Sequence, residues 1–382
     1  MTTDCFSNYR TEFPITNRCA FLSHAAVSPL NRRTADALRA FAERMQHDSF
    51  LDYFPDMMAT HTEFRQRLAT LINARNPDEI AIMPNTANGI NTAAVSLPLH
   101  PGDNVLVLDG DYPANVYPWQ NLAYRGVLTK VVPTRHGGLD INILEQRIDA
   151  HTRVIALSTV MFSTGFRNDI AAVGQLCKDR GIYFVVDGIQ SLGAFPLDVQ
   201  ACHIDFLAAG SHKWLLSTPG CGLLYCRHAI LDELVPGAYV GAGSVVDPMN
   251  FLDYNLTYPD NADRFNTGSQ NWAGMVALNA SLGLLLEVGI AGISEQILTL
   301  VGALIDDLTN RGYTLSASTE PQHRSGIVVA QTPDADAICK ALQAAGIVAT
   351  ARGGGVRIAP HFYNTLEEVM RVGEVMERHR AG

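Results

Sequence analysis

Positive charge is what this chain has least of: 28 lysines and arginines stand against 38 acids, a formal net charge of −10. A broadly negative surface argues against non-specific nucleic-acid binding and against docking on anionic membranes, while leaving room for a local positive pocket around an anionic ligand. Long apolar runs are also missing. The most apolar stretch, Leu282 to Ile293, is too short to cross a bilayer and contains Glu287, so it reads as a packed helix. The first residues, MTTDCFSNYRTEF, carry acids early and lack the apolar core of a secretory signal. Seven cysteines (Cys5, Cys19, Cys177, Cys202, Cys221, Cys226 and Cys339) are scattered, odd in number and free of CxxC spacing. No metal site is expected from them, and a reducing cytoplasm is the expected setting. Repeats, low-complexity segments and flexible linkers are absent as well.

What remains is an ordinary globular composition, 47% hydrophobic and 17% charged over 382 residues, long enough for two closely packed domains. From about Val105 short apolar strands alternate with helical stretches. The strands are VLVLD (105–109), TKVVPT (129–134), RVIALST (153–159), IYFVVD (182–187), DFLAAG (205–210) and GLLYC (222–226), with helical periodicity over 142–150 and 169–180. Such alternation predicts a mainly parallel sheet covered by helices on both faces. In that architecture ligands bind at the carboxyl ends of strands, where Asp109, Ser158, Asp187 and Gly210 close their apolar runs. After about Leu278 the texture changes to that of a smaller α+β unit closed by a helix. The expected division is a large domain over 31–277 and a small one formed by 1–30 with 278–382. The irregular segment after Pro236, through Val245–Tyr258, is expected to cover the active site or a subunit contact.

Residues 185–225, VVDGIQSLGAFPLDVQACHIDFLAAGSHKWLLSTPGCGLLY, carry the most chemistry. Asp187 closes one strand and Lys213 follows 26 residues later, just past another. A pyridine-ring cofactor needs an acid to keep its ring nitrogen protonated and a lysine that forms an imine and moves protons. Taken singly, such an Asp is more simply a cap and such a Lys a solvated surface charge. Their joint context decides otherwise.

That context resembles the class V aminotransferase and cysteine desulfurase superfamily of fold-type I PLP enzymes. The likeness runs from SHAAVSP near the N-terminus to YNTLEEV near the C-terminus, and DGIQSLGA with GSHKWL is its most specific part. In character it is closest to the isopenicillin-epimerase-like, C–S lyase-like and kynureninase-like branches. The resemblance implies an α/β fold-type I PLP-dependent transferase: a mainly parallel seven-stranded sheet sandwiched by helices, plus a smaller α+β domain. It implies that Lys213 holds pyridoxal 5'-phosphate, that Asp187 pairs with the pyridine nitrogen, and that Gln190 contacts the phenolic oxygen. NTANGIN (85–91) stands at the phosphate turn. Thr86 offers a hydroxyl, and the amides of Thr86 and Ala87 face the anion at a helix start, although Ala87 lacks the second hydroxyl of many relatives. His212 matches a further phosphate ligand. RFNTGSQNWAG (264–274) resembles a segment that reaches the phosphate across a dimer interface through Gly268 and Ser269, with Asn266 in place of the usual glutamate. The implied assembly is therefore a homodimer with shared active sites. In DYPANVYPWQ (111–120) Tyr112 is expected to stack on the pyridine. Phe162 stands where desulfurases have an asparagine. GVRIAPHFYNTLEEV matches the segment whose arginine, here Arg357, grips the substrate carboxylate; Arg352 is a second possible anion contact or a surface charge.

The desulfurase outcome requires a mobile loop with a nucleophilic cysteine just before that arginine. Only TARGGG lies between Ala349 and Val356, and the nearest alternative thiol, Cys221, sits where a small packing residue is expected. By analogy with relatives lacking that loop, the expected reaction on an α-amino acid is Cα-proton abstraction by Lys213 followed by C–S lyase-like elimination. Transamination and epimerisation are the alternatives within the family. A kynureninase-like reaction or a non-catalytic PLP-binding module stands behind them.

Overall fold

The computed structural model describes residues 6–235, 239–317 and 319–381; Cys5 and Pro236, named above, lie outside them. The central sheet has seven strands: β1 (Ile80–Met83), β2 (Asn104–Leu108), β3 (Leu128–Val132), β4 (Thr152–Ser158), β5 (Tyr183–Asp187), β6 (Phe206–Gly210) and β7 (Gly222–Cys226). Their spatial order is β1-β7-β6-β5-β4-β2-β3, and only β7 runs against its neighbours. Each interior strand feeds two cores, because successive side chains point to opposite faces. Leu106, Ile155, Phe184 and Leu207 enter one apolar cluster, while Val105, Val154, Val185 and Phe206 enter the other. Burial on both faces explains why these strands read as continuous apolar runs. Five of the six expected strands shift by one or two residues at their ends, and GLLYC does not shift at all. Strand β1 is the one the sequence pattern missed, being four residues long at the sheet edge.

Helices α1 (Arg32–His47) and α2 (Phe50–Ile72) start on side-chain caps. Asn31 accepts from the Thr34 amide at 2.9 Å, and Ser49 forms a reciprocal box with Asp52. Helix α3 (Thr86–Ser96) lies against β6 through Gly89, where a Cβ would stand 2.7 Å from that of Ala208. Helices α4 (Ile141–Arg147) and α5 (Ile170–Arg180) follow, each capped by an aspartate, Asp140 and Asp169. Helix α6 (Trp272–Val288) packs on α1 and α2, then breaks at Gly289 (φ +87) into α7 (Ile290–Asn310). It runs unbroken through residue 278, so a domain division at that point would cut a helix. Among the described residues no single helix is long and apolar enough to cross a membrane.

The C-terminal part holds a three-stranded antiparallel sheet of β8 (Val328–Gln331), β9 (Thr350–Arg352) and β10 (Gly355–Ile358), ordered β9-β10-β8, with helices α8 (Ala335–Ala344) and α9 (Leu366–Ala381). Ala20–Phe21 pairs in parallel with Ile347–Val348, joining the N-terminal segment to this part of the chain.

Candidate active site

Strand β5 delivers Asp187 to the carboxyl edge of the sheet, 1% exposed. Its Oδ1 accepts from the Ile189 amide at 2.9 Å, while Oδ2, fully buried, has no partner among the described residues. Burial pushes this carboxyl well above the usual carboxylate range; the Ile189 amide opposes the shift, Asp111 adds to it and Lys213 opposes it. An unpaired buried acceptor costs about 1–3 kcal/mol. A ligand carrying an N–H at that point would remove the cost, as a protonated pyridine does.

Lys213 follows β6 in a turn made rigid by its neighbours. Ser211 Oγ donates to the carbonyls of Thr218 (2.6 Å) and Cys221 (2.7 Å), and Ser28 donates its amide to His212 O (2.8 Å) and its hydroxyl to Lys213 O (2.6 Å). The N-terminal SHAAVSP segment thus clamps the lysine loop. A second clamp is Gly193 (φ +96), where a Cβ would fall 2.2 Å from Trp214 O. Burial lowers the Lys213 pKa; Asp187 opposes this, and the charges of Arg357 and Arg352 reinforce it. A lysine so placed keeps a larger neutral, nucleophilic fraction at neutral pH. Its Nζ stands 5.6 Å from the centroid of the Tyr112 ring, which meets Phe162 edge-on at 5.1 Å and is itself 44% exposed.

The expected phosphate turn is the first turn of α3. Asn85 caps it by accepting from the Asn88 amide (2.9 Å), leaving the Thr86 and Ala87 amides without an intrahelical acceptor. Thr86 Oγ1 accepts from Gly210 N at 2.9 Å, which keeps its own proton free to donate. His212, half-buried, has its pKa lowered by burial and then by Lys213. These donors suit a phosphate dianion at a helix N-terminus. Gly268 and Ser269 are exposed on the single chain and line a cleft of about 650 Å³ together with Asn88 and Thr92 of α3.

Two residues of these motifs have hydrogen-bond partners within the chain. Gln190 is 2% exposed, and its amide bridges Ala25 O (3.2 Å, as donor) and Trp214 Nε1 (3.0 Å, as acceptor). Those partners fix its orientation and make it a brace between the N-terminal segment and the lysine loop. Asn266 is turned inward, accepting from Ile82 N and donating to Asp263, so it anchors its segment to β1. The sequence reading also passed over a buried acid. Asp111, not Asp109, is enclosed at the strand ends, accepting from Ser158 Oγ (2.5 Å), Ser158 N (3.0 Å), Tyr112 N (2.7 Å) and Asn115 Nδ2 (3.0 Å). Burial raises its pKa, and its four donors oppose the rise. It fixes the backbone of Tyr112 over the site. An acid directly before the Tyr-Pro pair was the signal available for it.

On the substrate side Arg357 is 3% exposed, donates Nη1 to Phe162 O at 3.0 Å, and has no carboxylate partner among the described residues. Arg352 is exposed on the neighbouring strand. Cys221 is 1% exposed, and burial pushes its thiol up to about 12, which disfavours the thiolate that persulfide chemistry needs.

A buried acid with an unspent oxygen, a shielded lysine, a helix-start anion cup and an unpaired arginine define a site for a phosphorylated pyridine aldehyde and an amino acid. Residues 20–378 match the family described as Aminotransferase class-V. The chain belongs to that family, and it is a pyridoxal-phosphate enzyme of fold-type I. It is 30% identical over 364 residues to the "Uncharacterized aminotransferase YcbU" of Bacillus subtilis, covering 94% of each chain. It is 30% identical over 335 residues to a probable cysteine desulfurase of Methanothermobacter thermautotrophicus, covering 82% of each. Among solved structures, the apo cysteine desulfurase of Thermococcus onnurineus superposes with a TM-score of 0.89 at 25% identity, covering 97% of each chain.

Proposed function

We propose that the protein removes the Cα proton of an α-amino acid and expels a leaving group from its side chain, as a C–S lyase does. The observation that carries this reading is the pair of unspent groups flanking Lys213: the free Oδ2 of Asp187 on one side and the unpaired guanidinium of Arg357 on the other. Bound pyridoxal phosphate supplies the electron sink that makes a Cα–H bond acidic. Asp187 would keep the ring nitrogen protonated, the first turn of α3 with His212 would hold the phosphate, and Tyr112 would cover the ring. Arg357 takes the α-carboxylate with two parallel hydrogen bonds. Lys213 Nζ receives the Cα proton, the leaving group departs from Cβ with the bonding electron pair, and water converts the unsaturated amine product to a keto acid and ammonia.

Transamination is the second reading, favoured by the name of the Bacillus subtilis relative. Incubating the holoenzyme with a panel of amino acids and assaying keto acid, ammonia and sulfide separates the two. Elimination yields ammonia without an acceptor keto acid, whereas transamination yields ammonia-free keto acid and an aminated cofactor. Gly268 and Ser269 serve the phosphate of the partner's site in a homodimer. The exposed apolar residues Phe251 (62%), Leu252 (91%) and Tyr254 (94%) support a contact with a second copy of the chain. The described cysteines are all free, in keeping with a cytoplasmic setting.

A further inference from the structure

The register of the small sheet puts a second cation beside the carboxylate arginine. Thr350 pairs with Arg357, Ala351 with Val356, and Arg352 with Gly355. Residues directly opposite in an antiparallel pair share a face, as do residues two apart on one strand. Thr350, Arg352 and Arg357 therefore occupy one face, and Val356, fully buried, enters the core on the other. That face meets the site at two points. Thr350 meets Ser23 of the lysine-clamping segment through their hydroxyls, and Arg357 reaches the Phe162 carbonyl. Both guanidinium charges act on Lys213. Neither forms an ion pair among the described residues; Asp336 shares an outer groove with Arg352, yet the two do not pair. Of the acids at the site, Asp111 is saturated by its four donors and Asp187 faces the ring nitrogen.

An amino acid with a neutral side chain supplies one anion to this face, and Arg357 is the buried group that requires it. Arg352 is left over. With no cysteine-bearing loop between them, four residues separate the two arginines, and the hairpin turn of Gly353 and Gly354 keeps both on adjacent strands.

We infer that Arg352 is a specificity-determining residue that selects α-amino acids whose side chain or leaving group carries a second anion, such as a carboxylate or a sulfinate. This rests on the reading of Arg357 as the α-carboxylate site. An exposed guanidinium on the Arg357 face discriminates a charged group from its neutral isostere by about tenfold, the scale of one charge-assisted contact near solvent.

The test uses holoenzyme, with the absorbance change of its cofactor on ligand addition giving apparent dissociation constants. L-Aspartate is compared with L-asparagine, L-glutamate with L-glutamine, and L-cysteine sulfinate with L-alanine, in wild type, Arg352→Gln and Arg352→Lys. The expected result is a preference of about tenfold for at least one acid over its neutral counterpart in wild type. That preference falls to near one in Arg352→Gln and is partly kept in Arg352→Lys; which acid shows it separates carboxylate from sulfinate. Equal affinity for acids and their neutral counterparts in wild type, or a preference that survives in Arg352→Gln, overturns the inference alone. A spectrum that no amino acid perturbs overturns the amino-acid reading and the inference with it.

Discussion

Removing the Arg357 charge should separate stability from function, because the fold and the substrate value that charge differently. Burial pushes its guanidinium down to about 10, with Arg352 adding to the effect. At about 1.4 kcal/mol per pKa unit, holding this charge in the free protein costs at most about 3.5 kcal/mol near neutral pH. The single hydrogen bond to Phe162 O returns part of that. Arg357→Met keeps much of the side-chain volume and removes the charge, so the thermal midpoint of the cofactor-loaded protein should hold or rise. The substrate loses a two-pronged, charge-assisted contact worth roughly 2–4 kcal/mol, about 30- to 1000-fold in kcat/KM. Arg357→Lys should recover only part of the loss, since a point charge lacks the planar fork. The assay pairs scanning calorimetry with steady-state kinetics on the best amino acid. Equal kcat/KM for wild type and Arg357→Met would refute the reasoning and move the carboxylate elsewhere, with Arg352 the next candidate.

Asp187→Asn should bind the cofactor weakly and turn over roughly a hundredfold or more slowly; near-normal turnover would contradict the role given to its carboxylate. In cofactor-free protein the raised carboxyl of Asp187 makes the native state hold a proton that the unfolded chain releases. Its contribution to stability is therefore full below the ordinary carboxylate range and is lost as pH rises toward the folded value, a slope that Asp187→Asn should flatten in pH-dependent urea melts. Replacing each cysteine by serine, Cys221 included, should leave turnover largely intact; abolition by one replacement with fold and cofactor spectrum preserved would revive a persulfide route. Mixing an inactive Lys213→Ala variant with an inactive Gly268→Trp variant should restore activity through hybrid dimers, and no recovery after subunit exchange would remove the shared-site proposal.

The strands were legible because each interior one is buried on both faces, so its apolar run is unbroken between polar turns. Strand β1 was not, since IAIM is too short to stand out before the helix it precedes. Asp187, Lys213 and Arg357 could be named because each sits in a motif next to a strand. The hydrogen-bond partners of Gln190 and Asp111 could not, because they lie far away in the chain: Ala25 and Trp214 for Gln190, and Ser158 for Asp111. Helix α6 runs across the expected division at 278; it is apolar on nearly every side and packs on α1 and α2. Arg352 was ambiguous in one dimension; strand register puts it on the face of Arg357.

The chain has four lysines, which makes the central claim unusually direct to test. Lys178 and Lys340 are exposed and Lys130 is paired with Asp149, whereas Lys213 is 9% exposed beside Asp187, Arg352 and Arg357. Borohydride reduction of the holoenzyme, followed by proteolysis and mass mapping, should find the pyridoxyl group on the peptide containing Lys213 and on no other. Stoichiometric label on Lys130, Lys178 or Lys340, with Lys213 unmodified, would contradict the account.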